Sequence, residues 1–234
     1  IIGADLVASA SPDEIRLDTA QVQLRSQPEA SPSMLTASGT VWREQGRLVA
    51  DLSLGLDRLA FADLPALWPE GVAEGARSWV LENVTGGEAS DGRLAIGLAA
   101  NEDFSGLTVT RATGTLQGSD LTVSWLRPVP PIVHVGAVLR VVDPGTWMIE
   151  LLSGRQLLKG GSLTMTGGSM RIVGLMKRDQ TAEIQLGVAG TLPNAIALLR
   201  EPRLHLLDSH PISLNDPAGE VKAAVTVSVP LEAK

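Results

Sequence analysis

Residues 48–57 read LVADLSLGLD and alternate between apolar and polar side chains with a period of two. Asp51, Ser53 and Asp57 occupy the polar positions. The apolar positions are Leu48, Ala50, Leu52, Leu54 and Leu56. Because successive side chains of a strand point to opposite faces of a sheet, this pattern predicts a half-buried antiparallel strand with one dry face and one wet face.

The same alternation recurs on both sides of this stretch. Glu44-Gln45-Gly46 predicts a turn from a preceding strand at 35–41, and a change of apolar parity near Asp18-Thr19 predicts a β-bulge. The proline cluster Pro128–Pro131 predicts an interruption of strand pairing. Further alternating positions are Leu94, Ile96, Leu98, Leu121, Val123, Val225 and Val227. The pattern predicts about a dozen strands in one meander, and no internal domain boundary stands out in residues 1–234.

One segment in the middle of the chain is helical in character. Residues 64–87 read LPALWPEGVAEGARSWVLENVTGG and lie between two sets of strands. Apolar residues recur close to a 3.6-residue period at Val72, Ala76, Trp79, Val80 and Val84. They predict an amphipathic helix near 72–84, with Trp68 and Trp79 as packing anchors and the helix at one end of the sheet or across it. A short second helix is predicted near 193–200, where Pro193 fits a first turn.

Composition limits the class of protein. In 234 residues, 44% are hydrophobic, 19% are charged and 3% are aromatic, which is typical of a folded chain whose apolar surface is aliphatic. The net charge of −7 argues against a nucleic-acid partner and against an electrostatically held anionic membrane surface. The absence of cysteine excludes disulfides and thiol chemistry and leaves the redox compartment open.

The chain begins at Ile1, and we expect it to be a piece of a longer or processed protein. It contains no run of eighteen apolar residues and no signal-peptide pattern. If the parent protein is anchored in a membrane, the anchor lies outside these residues.

The sequence offers little for catalysis. His134 lies between two valines of a predicted strand and is expected to be structural. His205, Asp208 and His210 invite a metal or hydrolase interpretation, but three residues in one polar loop do not build a triad or a metal site. Gly160-Gly161 and Gly167-Gly168 lack the residues of a phosphate-binding loop and are interpreted as corner glycines. We expect no catalytic residue, no metal and no cofactor.

A sheet this apolar on one side has three architectures available. It can pack face to face as a sandwich, close into a barrel, or curl into an open groove that holds apolar ligands. Composition alone leaves all three open, with the sandwich as the ordinary solution.

Several motifs resemble YhdP-type proteins of the AsmA-like superfamily, with TamB-like proteins as more distant relatives. The helix region 62–87 carries the more specific part of this resemblance, and the whole resemblance covers about residues 36–231. Its motifs are Leu67-Trp68-Pro69, Ala76–Val80, Glu82-Asn83, Gly86-Gly87, Gly114–Leu116, Leu121–Trp125 with Pro130, Gly190–Leu199 and Gly219–Leu231.

The resemblance implies a mainly β fold: a long curled antiparallel sheet with an open, taco-like apolar groove. It implies a non-catalytic bridge for phospholipid or another acyl-chain lipid between the inner and outer membranes of Gram-negative bacteria. The chain would then be the periplasmic portion of a protein anchored in the inner membrane, reaching membranes through parts of the parent not present here. The groove-lining residues would be Leu94, Ile96, Leu98, Leu121, Val123, Val225 and Val227.

Two other functions stay open on the sequence. One is a structural or assembly module of the cell envelope, built as a β-sandwich whose dry faces form a closed core. The other is a hydrolase that uses His205, Asp208 and His210.

Overall fold

The structure is a computed structural model that describes residues 1–25, 31–68, 70, 74–125, 127–176, 179–204 and 216–232. Its strands are β1 Gly3–Ala10, β2 Glu14–Leu24, β3 Ser33–Glu44, β4 Arg47–Ala60, β5 Val84–Asn101, β6 Thr108–Val123, β7 Ile132–Asp143, β8 Thr146–Leu158, β9 Gly161–Val173, β10 Asp179–Thr191 and β11 Glu220–Glu232. Its helices are α1 Leu64–Leu67, α2 Glu74–Asn83 and α3 Leu192–Leu199, with single 3₁₀ turns at Phe61–Asp63 and Pro202–Leu204. Among these described residues, no helix is both long enough and apolar enough to span a membrane.

All eleven strands belong to one antiparallel sheet in which each strand pairs with its neighbour in the chain, from β1 to β11. The sheet is not closed into a barrel, because β1 and β11 form its two edges. The predicted fold class, a mainly β chain built on one long open antiparallel sheet, is confirmed. The described residues contain no second sheet.

Connections of two kinds lie at opposite ends of the strands. At one end, here named the hairpin end, short turns such as Gln45-Gly46 and Pro144-Gly145 join β3 to β4 and β7 to β8. Gln45 and Gly46 have φ values of 51° and 75°, as in the tight turns that match the twist of a hairpin. At the other end, named the helix end, lie α1, α2, α3 and the connection at 124–131.

A transverse row of β-bulges crosses five neighbouring strands. The bulge residues are Asp91 in β5, Asp120 in β6, His134 in β7, Leu152 in β8 and Thr166-Gly167 in β9. Each bulge adds a residue to its strand and reverses the parity of the side chains beyond it. The bulge in β6 therefore leaves Gly118, which precedes it, and Leu121, which follows it, on the same face. Their proximity shows this, since the Cβ of an alanine at position 118 would lie 2.8 Å from the Leu121 side chain.

Two sequence predictions concern bulges. The bulge predicted near Asp18-Thr19 is confirmed, since the β2–β3 pairing shifts between Leu17 and Ala20. The interpretation of Gly167-Gly168 as a corner between two short strands is wrong, because both residues lie inside β9. Gly167 has a φ of 119°, which lets the chain form a bulge at this point without ending the strand.

The helix predicted near 72–84 is observed as α2, at Glu74–Asn83, and the helix predicted near 193–200 is observed as α3. The prediction that Trp79 is a packing anchor is wrong, since this side chain is 53% exposed. Among residues 77–83, the half-buried side chains of α2 are those of Arg77, Val80, Leu81 and Asn83, so of the predicted stripe residues Val80 faces inward and Trp79 does not. Trp68 is half-buried, and its carbonyl accepts a hydrogen bond of 3.0 Å from Arg77 Nε.

Two glycines with positive φ provide a test of the sheet geometry. Gly87 has a φ of 86°, and an added Cβ would lie 2.4 Å from the Ser119 carbonyl oxygen. Gly46 has a φ of 75° and no atom within 4 Å of an added Cβ. We expect Gly46→Ala to cost about 1 kcal/mol of unfolding free energy from backbone strain, and Gly87→Ala at least about 2 kcal/mol, because a backbone clash adds to the strain. Urea denaturation of both variants measures the difference, and equal losses would contradict the close approach of β5 to β6.

Candidate functional site: an exposed apolar sheet face

Strand pairing places apolar side chains in continuous rows across the sheet. One row crosses ten strands, β1 to β10, and contains no charged, hydroxyl or amide side chain. It consists of Leu6, Ala20, Ala37, Leu54, Leu94, Gly114, Val141, Trp147, Ile172 and Ala182. Directly paired residues of antiparallel strands share a face, so this row defines one side of the sheet, here named the apolar face.

A second row runs beside the first over six strands, β6 to β11. Its members are Leu116, Leu139, Ile149, Met170, Ile184 and Val227. Sequence reasoning missed most residues of both rows, although each strand shows the alternation by itself. Only the pairing register shows that the apolar positions of distant strands fall in line.

The structure places all seven predicted lining residues on this one face. Leu94, Ile96 and Leu98 pair with Leu54, Leu52 and Ala50 of β4. Val225 and Val227 pair with Leu186 and Ile184 of β10. Leu121 and Val123 pair with Val135 and Ile132 of β7. The seven residues therefore form separate parts of one surface, in the middle of the sheet, at its helix end and at its β11 edge.

Exposure divides the apolar face into two zones. Toward the helix end the side chains are buried: Ala89, Leu121, Val135, Leu163 and Met165. Toward the hairpin end and the edges the large side chains stay partly accessible, with Leu54 at 37% and Val225 at 40% exposure, whereas the small side chains of Ala100 and Ala182 are buried. Leu121 is thus part of the core and does not present an accessible lining surface, in contrast to Val225.

Three pieces of chain account for the burial at the helix end. Helix α3 contacts β8, β9, β10 and β11, and its Ile196 is buried. Asn194 of the same helix donates a hydrogen bond of 3.0 Å from Nδ2 to the Ser162 carbonyl. Leu64 of α1 and Val129 of the 124–131 connection are also buried. The accessible part of the apolar face therefore ends where these segments begin.

The opposite face of the sheet, here named the polar face, carries ion pairs between neighbouring strands. Arg111 Nη2 lies 2.8 Å from Asp51 Oδ1, and Arg171 Nη1 lies 4.0 Å from Glu183 Oε2. These side chains are exposed, so each pair contributes at most about 1 kcal/mol. An open depression of about 500 Å³ lies over β7–β11, and its lining includes polar-face residues such as Glu150 and Thr226 together with Ile149 and Val225 of the apolar face. Charge is thus concentrated on the side of the sheet away from the apolar rows.

The described residues show no metal-binding arrangement. They contain no group of three or more His, Asp or Glu residues placed to hold a metal ion. His134 Nδ1 lies 2.6 Å from Asp120 Oδ1, but both side chains lie on the bulge row and are largely exposed, at 73% and 72%. Hydrogen bonds from Ser105 lower the pKa of the Asp103 carboxyl, which lies in the exposed β5–β6 turn. His205, Asp208 and His210 lie outside the described residues.

Comparison with known proteins adds no relative. No protein-family model, curated protein or solved structure matches this chain. The class that the fold and the site define is a single open antiparallel sheet with one accessible aliphatic face.

Proposed function

We propose that this chain is a lipid-binding segment of a bridge-like transporter that moves phospholipid, or another acyl-chain lipid, between the inner and outer bacterial membranes without catalysis. In this proposal it is the periplasmic portion of an inner-membrane-anchored protein, as the resemblance to YhdP-type proteins implies. The observation that carries the proposal is the uninterrupted apolar row across ten strands, in which Leu6 and Leu54 are exposed, Ala182 is buried and the other seven residues are half-buried.

The hydrophobic effect supplies the binding energy on such a surface. Each CH₂ group removed from water contributes about 0.8 kcal/mol, so a sixteen-carbon chain that buries half of its groups gains about 6 kcal/mol before ordering costs. Polar headgroups remain in water, which agrees with the absence of charged side chains from the row. An aliphatic surface without fixed polar contacts gives a bound chain no single preferred position, which suits a lipid that moves along it.

The dimensions of the row favour a path over a single pocket. At about 4.8 Å between strands, ten strands span about 43 Å. The hydrocarbon depth of one leaflet is about 15 Å, half of a bilayer core. A lipid tail therefore covers only part of the row and leaves apolar surface beside it for a further position of the same tail or for a second lipid.

A titration of the purified chain with a fluorescent fatty acid, followed by displacement with phosphatidylethanolamine and native mass spectrometry, tests the proposal. We expect saturable binding, competition by the phospholipid and mass peaks that correspond to bound lipid. A chain that carries no lipid and binds no fluorescent fatty acid would refute the proposal. The apolar face would then be a protein-docking surface, as in the structural or assembly module that the sequence left open.

A further inference from the structure

The connection between β6 and β7 crosses the helix end of the apolar face. Backbone hydrogen bonds hold its two ends, from Ser124 N to the Asn83 carbonyl at 2.8 Å and from Leu157 N to the Pro131 carbonyl at 3.2 Å, and side chains tie it down at two further places. Its described residues, Ser124, Trp125 and Arg127–Pro131, are here named the strap. Within it Val129 is only 4% exposed, which is unusual for a connecting segment of an open sheet. The strap therefore belongs to the packed part of the molecule.

The first tie is Gln156 of β8, a polar residue on the apolar face. Gln156 pairs with Ile132 and Leu163, both apolar, and is only 4% exposed. Burial of an amide among aliphatic side chains is costly unless each polar atom has a partner. The presence of Gln156 at this position therefore requires partners from outside the row.

The strap supplies most of those partners. Gln156 Oε1 accepts a hydrogen bond of 2.8 Å from Trp125 Nε1, and Gln156 Nε2 donates one of 2.6 Å to the Pro130 carbonyl. Nε2 also donates to the Leu157 carbonyl at 2.8 Å. The two bonds to the strap lie on either side of Val129 and hold it down, so Gln156 acts as a latch.

The second tie is Arg127, which joins the strap to the end of α2. Its Nη2 donates to the Glu82 carbonyl at 2.7 Å, and its Nη1 lies 3.1 Å from Glu82 Oε1 and 3.5 Å from Asn83 Oδ1. These side chains are exposed, so the tie is weaker than the buried one. The Gln156 bonds lie between the backbone bonds at the two ends of the strap, so their release would free its middle part around Val129.

We propose that the strap is a stop that closes the helix end of the apolar face, and that Gln156 sets how far an acyl chain can extend along that face. The role for the acyl chain rests on the proposed function, whereas the latch itself does not. With the strap held, Leu121 and Val135 are core residues; with the strap released, they become additional apolar surface that adjoins the accessible zone.

The absence of cysteine from the chain allows a direct measurement of strap opening. A single thiol introduced by Val129→Cys should react slowly with a maleimide while the latch is intact. Combination with Gln156→Leu, which keeps the volume but removes the hydrogen bonds, should increase the reaction rate roughly 10- to 100-fold. Gln185→Leu is the matched control, because the same change on the exposed polar face of β10 should leave the rate unchanged.

A second reporter separates release of the strap from loss of the fold. A thiol introduced by Ala182→Cys lies at a position that is 2% exposed, in β10 and away from the strap, and its reactivity should not change. If it does rise with Gln156→Leu, Trp125→Phe serves as the milder variant, since it removes one donor from a partly exposed ring. An unchanged rate at position 129 in both variants would overturn the latch.

Fatty-acid binding by the same variants separates the two proposals. We expect Gln156→Leu to bind a fluorescent fatty acid at least about threefold more tightly than the unmodified chain, because more apolar surface is accessible. If Gln156→Leu makes the thiol at position 129 more reactive, but neither this variant nor the unmodified chain binds fatty acid, the proposed function is refuted and the latch stands. Unchanged thiol reactivity with normal fatty-acid binding would refute the latch and leave the proposed function standing.

Discussion

Ile96→Asp is expected to weaken fatty-acid binding by at least about tenfold. Ile96 lies in the middle of β5 on the apolar face, where it pairs with Leu52 and Ala112. A carboxylate at this position would have to be desolvated under a bound acyl chain, which costs several kcal/mol, or would hold water on the face. A fluorescent fatty-acid titration of the variant measures the loss.

The neighbouring residue provides the matched control. Ala95 lies on the polar face between Ser53 and Thr113, so Ala95→Asp adds the same charge to the same strand and should leave binding within about twofold. The edge strand offers an independent pair, Val225→Asp against Ala224→Asp, at positions where a new charge disturbs the sheet less. Equal losses of binding in the two members of either pair would contradict the assignment of the acyl chain to the apolar face.

Leu163→Ala is expected to lower the free energy of unfolding by about 3 kcal/mol. Leu163 is 1% exposed, the most completely buried large side chain among the described residues, and lies in the closed zone of the apolar face. Removal of a buried leucine side chain loses transfer free energy and leaves a cavity, which costs 2–5 kcal/mol in well-packed sites. Urea denaturation measures the loss as a shift of the midpoint.

The same substitution at an exposed leucine is the control for stability. Leu107 lies in the β5–β6 turn at 64% exposure, and Leu107→Ala should change the free energy of unfolding by less than about 0.5 kcal/mol. A loss at position 163 as small as the loss at position 107 would show that the helix end is not a packed core. The division of the apolar face into a closed and an accessible zone would then be wrong.

The residue pattern alone was sufficient to predict a mainly β chain of antiparallel strands, for reasons visible in particular strands, whereas the open sheet was expected only from the resemblance. The alternation from Leu48 to Leu56 predicts a strand with one dry face, and β4 has this form. The apolar period and the flanking glycines predict α2 to within two residues at each end. These features are local, so a single sequence contains them.

Features that depend on pairing could not be predicted in the same way. Parity along β8 continues from Trp147 and Leu151 toward Arg155, but the bulge at Leu152 turns Arg155 away and places Gln156 on the apolar face. The position of Gln156 opposite the strap could therefore not be predicted before the pairing register was known. Trp79 is a similar case, because a helical period gives the width of the apolar stripe but not the side on which the sheet lies.

The closed helix end limits how an acyl chain could lie on the apolar face. The large side chains of the face are partly accessible toward the hairpin end and the edges, and α3 and the strap cover its helix end. Under the proposed function, a tail would enter from the open side only. Under the proposed function, we expect lipid to cross the strands, from β1 toward β11 or the reverse, and not to leave over the helix end. In this proposal α3 and the strap act as a wall along the path.

Photolabelling with a diazirine-bearing fatty acid, followed by peptide mapping, tests the central claim most directly. The proposal predicts label on apolar-face residues of β4, β5 and β10, such as Leu54, Leu94 and Ile184, and no excess label on the polar-face residues between them. It also predicts that Ile96→Asp removes label from β4 and β5. Label that is absent, or spread equally over both faces of the sheet, would contradict the account.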